Sequence, residues 1–473
     1  MRPSRTFLYT HAVRAPMSRR QALALTLAGV LSGLCAGRLR ADAIPSTQVP
    51  TAAKPSSVTL FTATGSGAKD GSDWRDAMPL DALPKALSSA RPGAGFLIGF
   101  ESAGEPVAIG TDQISVKASG EDGKPLFLQA GLVADESGVA APPQDRAAFF
   151  RSAEAWSLEN FDKGGSSFFA LSDGASHLRI SGFSVDGTPA DGFFKFRGKQ
   201  ATTYMDIVIS GIEARNVGRV IETEQAAMLE NLTVSDCRVV GIVRGFARFR
   251  NLSNSTLRNL DLDAANMDAG RKNVCQLIAV SAGENLVFEN LSLRNAMNEP
   301  PPPKEGKKPG YVQGDGIVCE RKTTNVTIRN CHAKGMGDGG FDLKTTNVTI
   351  EDCSTDSCKF GARIWAEGNN VIRRCDFRNP ISRNDTQGAC IQAGGTLEIL
   401  DTKLHAGSGT VAIALSQKKN GNPPMVAMRG GSIDLEGSGA IAHANANGVL
   451  ELEDVLVNGV KTTRRLAFEK KKT

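Results

Sequence analysis

The heptapeptide Lys322-Thr323-Thr324-Asn325-Val326-Thr327-Ile328 returns as Lys344-Thr345-Thr346-Asn347-Val348-Thr349-Ile350, 22 residues later. Cys331, Cys353 and Cys375 keep the same spacing of 22. A unit this short cannot bury its own apolar face, so it must stack on copies of itself. A period in the twenties, carried by short alternating Val/Thr/Ile runs, marks a β-solenoid. A leucine-rich repeat of similar length needs a Leu-x-x-Leu-x-Leu frame, which is missing. Each repeat is therefore read as one coil of a parallel β-helix.

Strand-and-turn units of this kind recur from HLRISGFSV (177–185) to LELEDVLV (450–457). In five of them a polar residue follows the strand: Asp236, Asn259, Asn290, Asn330 and Asp352. The next residues are Cys237, Leu260, Leu291, Cys331 and Cys353. A polar rung suits a tight turn whose side chains bond the backbone of neighbouring coils. The apolar rung beside it fills the core, so Cys331, Cys353 and Cys375 are expected to point inward and stack. Ahead of the series, Val58–Phe61 reads as a strand and Leu80–Ser89 as a short helix that would plug the open end.

This pattern, a turn ladder of Asn and Asp behind an N-terminal plug, resembles the right-handed parallel β-helix proteins of the pectate-lyase superfamily over residues 58–460. The resemblance implies an all-β fold, a single right-handed parallel β-helix with a short helical cap. That superfamily includes polysaccharide lyases, glycoside hydrolases, epimerases, esterases and surface spikes, so fold alone does not select a chemistry.

The domain reading follows. Residues 1–43 carry Ser18-Arg19-Arg20-Gln21-Ala22-Leu23, which resembles a twin-arginine export motif. An apolar run and Ala41-Asp42-Ala43, a signal-peptidase site, come after it. The expected location is a bacterial periplasm or beyond, with no membrane span in the mature chain. Residues 44–57 read as a linker, 58–130 as cap and first coils, 131–460 as the β-helix and 461–473 as a basic, frayed tail. The formal net charge of +5 comes from the leader, whose seven Arg and one Asp leave 48 basic and 49 acidic residues elsewhere. No nucleic-acid partner is implied, and nothing in the sequence sets an oligomeric state. No CxxC pair or His cluster suggests zinc. The insertion NEPPPPKEGKKPG (298–310) is an extended loop, either plain surface or the rim of a groove.

Chemistry concentrates at GDGGFDLK (337–344). Strand alternation turns Phe341 and Leu343 inward, Asp342 and Lys344 outward. An offset of 22 puts Glu320 under Asp342 and Lys322 under Lys344. An offset of 21 puts Lys359 over Asp338, Arg363 over Asp342 and Trp365 over Lys344. Such a face could be a ladder of solvated ion pairs. Its glycines could instead open the backbone to a ligand, with Trp365 stacking on a sugar ring and Glu320 beside it. Asp-Gly-Gly-Phe-Asp (338–342) is similar to the Asp-Asp-Gly-x-Asp calcium motif of pectate lyases that use calcium and a lysine base, with Gly339 in place of one acid. That resemblance implies Asp338 and Asp342 as ligands of a possible Ca2+, and otherwise no cofactor. The Gly-x-Gly-Phe-Lys stretch that holds the family's base has its nearest counterpart in Ser357-Cys358-Lys359-Phe360-Gly361, with the order changed. The catalytic set is then Lys344 or Lys359 as base, with Arg363 neutralising a substrate carboxylate. The expected reaction is β-elimination on a uronate polysaccharide. The alternatives are a glycoside hydrolase using Asp315, Asp338 and Asp342, or a non-catalytic glycan-binding or surface-structural β-helix.

Overall fold

The computed structural model describes residues 54–469, except 101–106, 110–112, 134–149, 153–166, 188–191, 268–273, 301–304, 307–309, 417–420 and 446. The leader and most of the linker lie outside the described residues. Three parallel sheets run the length of the molecule, and each coil contributes a strand to each in turn. One coil illustrates the order. Leu178–Ser181 enters sheet II, Ser184–Asp186 enters sheet III, Phe194–Phe196 enters sheet I, and Thr202–Ser210 opens the next coil. In sheet II the repeat is realised in register: Thr324 lies beside Thr346, Val326 beside Val348 and Ile328 beside Ile350. The Val and Ile side chains are buried and Thr327 and Thr349 are partly exposed, as a half-buried strand requires.

The turn from sheet II to sheet III explains the polar rung. Asp236, Asn259, Asn290, Asn330 and Asp352 all sit in the left-handed region, with φ between 51° and 59°. Asn and Asp reach that region most easily among residues with a Cβ. Their side chains also bond coil to coil: Asn259 Nδ2 donates to Asp236 Oδ1 at 2.9 Å and Asn290 Nδ2 to Asn259 Oδ1 at 2.8 Å. A second ladder, not read from the sequence, occupies the corner between sheets I and II. Asn285 donates to Asn254, Asn325 to Asn285 and Asn347 to Asn325, at 2.8, 3.0 and 3.1 Å. Its signal was the Asn of the repeated heptapeptide itself.

Cys331, Cys353 and Cys375 are buried and stack, and the Cys331 N–H donates to Cys353 Sγ at 3.3 Å. The Cys331 and Cys353 thiols donate to the carbonyls of Arg329 and Glu351, at 3.2 and 3.1 Å. All eight cysteines of the described residues are free and buried.

At the N-terminal end the strand Ser57–Thr62 already pairs in parallel with Ala94–Phe100. The plug is a 3-10 turn, Leu80–Ala82, running into the helix Leu83–Ser88, with Leu80, Leu83 and Leu87 buried against the first coils. The expected frayed tail is instead a strand. Val460–Phe468 folds back antiparallel on Gly448–Val457, because Asn458-Gly459 supplies two left-handed residues for a tight turn. No helix among the described residues is long and apolar enough to cross a membrane.

Candidate functional site

The outward face of sheet I carries the charged residues, and its register differs from that of sheet II. Val318 lies beneath Asp342 and Cys319 beneath Leu343, an offset of 24 rather than 22. The excess sits in the corner, where Glu320–Thr323 in one coil faces only Lys344 and Thr345 in the next. The expected positions of Glu320 and Lys322 are therefore corrected. Glu320 meets Lys344, with Nζ at 2.7 Å from Oε1, and Lys322 pairs in register with Ala282. Above, the offset of 21 holds: Asp342 lies beside Arg363 and Leu343 beside Ile364.

Asp338 and Asp342 face outward yet are nearly buried, because other side chains close over them. Arg363 Nη1 lies 2.6 Å from Asp338 Oδ2 and 3.8 Å from Asp342 Oδ2. Its Nε donates to Gln392 Oε1 at 2.9 Å. Trp365 Nε1 donates to Asp342 Oδ1 at 2.9 Å, and the guanidinium lies 4.8 Å from the indole ring. Tyr311, from the foot of the 298–310 insertion, donates its hydroxyl to Asp338 Oδ1 at 2.6 Å. Asn298 and Gln313 form the antiparallel bridge at which that loop leaves and returns. The foot of the loop thus reaches the charged face, and Tyr311, Gln392 and Gln276 join the site although sequence reasoning did not single them out.

The two candidate lysines differ sharply. Lys344 lies 2.7 Å from Glu320 and 3.4 Å from Asp342. Burial pushes its ammonium down, but Asp342 and Glu320 outweigh that and hold it above the usual lysine range. Lys359 has no exposed surface, and among the described residues its Nζ has no hydrogen-bond partner. The amine rests 3.7 Å from the centroid of the Tyr311 ring, a cation–π contact. Burial, with Arg363 and Arg383 against Asp338, brings Lys359 down from 10.5 to about 8.

Asp315 is pushed the other way, up to about 8, by burial and then by the charges of Asp338 and Asp342. Its Oδ1 accepts the Gly339 N–H at 2.9 Å and its Oδ2 lies 3.4 Å from Gln276 Nε2. Asp338 is also raised, by burial first, although Arg363 and Tyr311 oppose it. Tyr311 is pushed up by burial and by Asp338, which keeps its hydroxyl a donor.

The glycines serve packing rather than ligand approach. A Cβ on Gly340 would meet the Gly361 carbonyl at 2.6 Å, and one on Gly337 the Gln313 carbonyl at 2.1 Å. A side chain at Gly339 would crowd Asp315 Oδ1, 3.3 Å from its Cβ. The position that carries an acid in the calcium motif is thus filled by its neighbour.

Residues 220–424 match the family model described as a right handed beta helix region. The fold is a right-handed parallel β-helix. Solved structures similar to this β-helix include an alginate lyase from Paenibacillus sp. strain FPU-7, at 14% identity and a TM-score of 0.35, covering 82% of this chain and 99% of that one. A GH136 lacto-N-biosidase from Eubacterium ramulus aligns at 12% identity and a TM-score of 0.42, covering 84% and 67%. PfbA, a surface adhesin of Streptococcus pneumoniae, aligns at 10% and 0.40, covering 84% and 90%. None of the curated proteins matches the sequence.

The donor set of this β-helix does not fit the calcium ion that the motif implied. The oxygens of Asp338 are engaged by Tyr311 and Arg363, and those of Asp342 by Trp365, Lys344 and Arg363. Calcium takes six to eight oxygen ligands, and among the described residues no three His, Cys, Asp or Glu side chains are grouped to hold a metal.

Proposed function

We propose that this protein is a polysaccharide lyase acting by β-elimination on an acidic, uronate-containing glycan. Lys359 carries the reading: a buried amine without an acceptor among the described residues, brought down to about 8, immediately before the strand that holds Arg363. Elimination needs a base, a cation against the substrate carboxylate and a donor to the leaving oxygen. Lys359, half neutral near pH 8, takes the C5 proton. The electrons of that bond form C4=C5, and the C4–O bond breaks. Asp315, protonated at neutral pH, gives its proton to the leaving oxygen, and Arg363 offsets charge growing on the carboxylate. The sugar replaces the Tyr311 ring over Lys359. Trp365, Glu320 and the ion-paired Lys344 flank the bound chain, and no step runs through a metal. Export through the twin-arginine route takes this chemistry to the periplasm or beyond, and cytoplasmic retention of an Arg19→Lys/Arg20→Lys precursor is the check.

One observation favours a second reading. A protonated Asp315, its proton held by burial and by the charges of Asp338 and Asp342, is the kind of general acid a glycoside hydrolase uses. Incubation with pectate, alginate and glycosaminoglycans separates the two. The expected product is an unsaturated uronate, seen by its ultraviolet absorbance, with or without a chelator. New reducing ends without that absorbance would establish the hydrolase. Binding without either product would leave a non-catalytic glycan-binding protein.

A further inference from the structure

The geometry points to a second anion-binding subsite on sheet I, centred on Arg248 and Arg250, which holds a carboxylate or sulfate ester of the same glycan chain. This rests on the reading of the ligand as an acidic glycan. Arg248 belongs to the row that leads to the candidate site. Glu222, Arg248, Ala279, Val318 and Asp342 follow one another across adjacent strands. Three strand spacings, about 14 Å, separate Arg248 from Asp342, and the row between them carries no charge.

Arg219 and Arg244 come from the turns entering the same two coils, so four guanidinium groups share this end of the face. The outward carboxylate of that row, Glu222, is ion-paired to Arg219. Arg248 and Arg250 have no ion pair among the described residues, and Arg250 Nε is buried without a hydrogen-bond partner. Burial and then Arg248 push the Arg250 guanidinium down, as expected where half-buried like charges lie close together. A bound oxyanion removes that repulsion and supplies the missing acceptor, and a planar guanidinium matches a carboxylate or sulfate in two places.

The connection to the site is physical. A groove of about 520 Å³ is lined by Gln225, Arg250, Asn251, Arg321 and Lys344, with one carboxylate, Glu320, at the Lys344 end. The amides of Gln225 and Asn251 suit sugar hydroxyls, and Lys344 ends the groove at the carboxylate cluster. A chain lying there places one acidic group on Arg250, beside Arg248, and runs toward Lys344 at the edge of the carboxylate cluster. The acids beyond Lys344 would repel a longer uniform polyanion, which favours a glycan with charges at intervals.

The full protein is titrated with hexagalacturonate, dextran sulfate and neutral maltohexaose at several salt concentrations. Wild type should bind one or both acidic probes with an affinity that falls with salt, and not maltohexaose. The preferred acidic probe tells carboxylate from sulfate ester. Arg248→Gln and Arg250→Gln should each weaken that probe about tenfold and flatten the salt dependence, with thermal unfolding unchanged. Arg248→Lys/Arg250→Lys, which keeps the charge, should restore part of the affinity. Wild-type affinity for acidic probes in both Gln variants, or no acidic probe bound by wild type, would overturn the subsite. Binding that the Gln variants lose, in a protein that cleaves no glycan, would keep the subsite and discard the lyase.

Discussion

Sheets I and II are built from the same coils, yet they obey different rules. In sheet II the offset between neighbouring coils stays at 22 where the heptapeptide repeats, and like stacks on like: Thr324 and Thr346 share a hydroxyl bond of 2.9 Å. In sheet I the offset is 24 below Asp342 and 21 above it, and unlike residues meet, as Asp342 does Arg363. Uniform spacing accompanies a face that only has to stack. Uneven corners bring acid, base and aromatic groups from different coils to one place.

The largest expected effect tests whether the buried charges of sheet I are structural as well as chemical. Arg363→Leu leaves Asp338 and Asp342 without their shared cation and should cost about 3–5 kcal/mol. Arg373→Leu on sheet II removes a half-exposed partner of Glu351 and should cost no more than about 1 kcal/mol. Urea denaturation of both variants measures this, and equal losses would erase the distinction between the faces.

Lys359→Met should lower turnover at least a hundredfold, about 3 kcal/mol of transition-state stabilisation, and Lys344→Met by clearly less. The same variant has a signature in stability. Between about 8 and 10.5 the unfolded chain holds a proton that native Lys359 has lost, so wild-type stability gains from this residue as pH rises. Denaturation midpoints of Lys359→Met should lack that rise.

Asp315 sharpens the contrast from the opposite side. From 3.8 to about 8 the native carboxyl keeps a proton that the unfolded chain releases, so its contribution falls as pH rises through that window. Asp315→Asn should flatten the fall, read from denaturation midpoints at several pH values. The ladder of the stacking face gives the smallest effect. Asn290→Gly keeps the left-handed turn and loses its bond to Asn259, at about 1 kcal/mol. Asn290→Ala adds the cost of a Cβ at φ 59°, roughly 1–2 kcal/mol more, and thermal unfolding of the pair separates the two terms.

Much of the stacking face was legible in the sequence because its geometry restricts residue type. A left-handed turn selects Asn or Asp, and an inward rung selects Cys, Leu or Ile, so both leave periodic marks. Arg363 over Asp342 was legible for the same reason, since the offset of 21 keeps Ala362 and Ile364 inside. Glu320 was misplaced because a corner two residues longer leaves every strand pattern intact while it shifts the register. Tyr311 was missed because it arrives from the foot of an insertion that no repeat constrains. The choice between Lys344 and Lys359 was beyond reach, as it depends on burial and partners rather than spacing.

The returning strand Val460–Phe468 has a consequence for how the molecule meets its neighbours. A stack of parallel coils would otherwise offer the strand Gly448–Val457 as a template, with unpaired amides and carbonyls open to any passing strand. The reversed strand fills those bonds with the chain direction inverted, so no further parallel coil can continue that sheet in register. Its exposed Lys461 and Arg465 pair with Asp454 and Glu451, so charged side chains line the same edge. The end of the molecule is thereby made a poor seed for fibre growth.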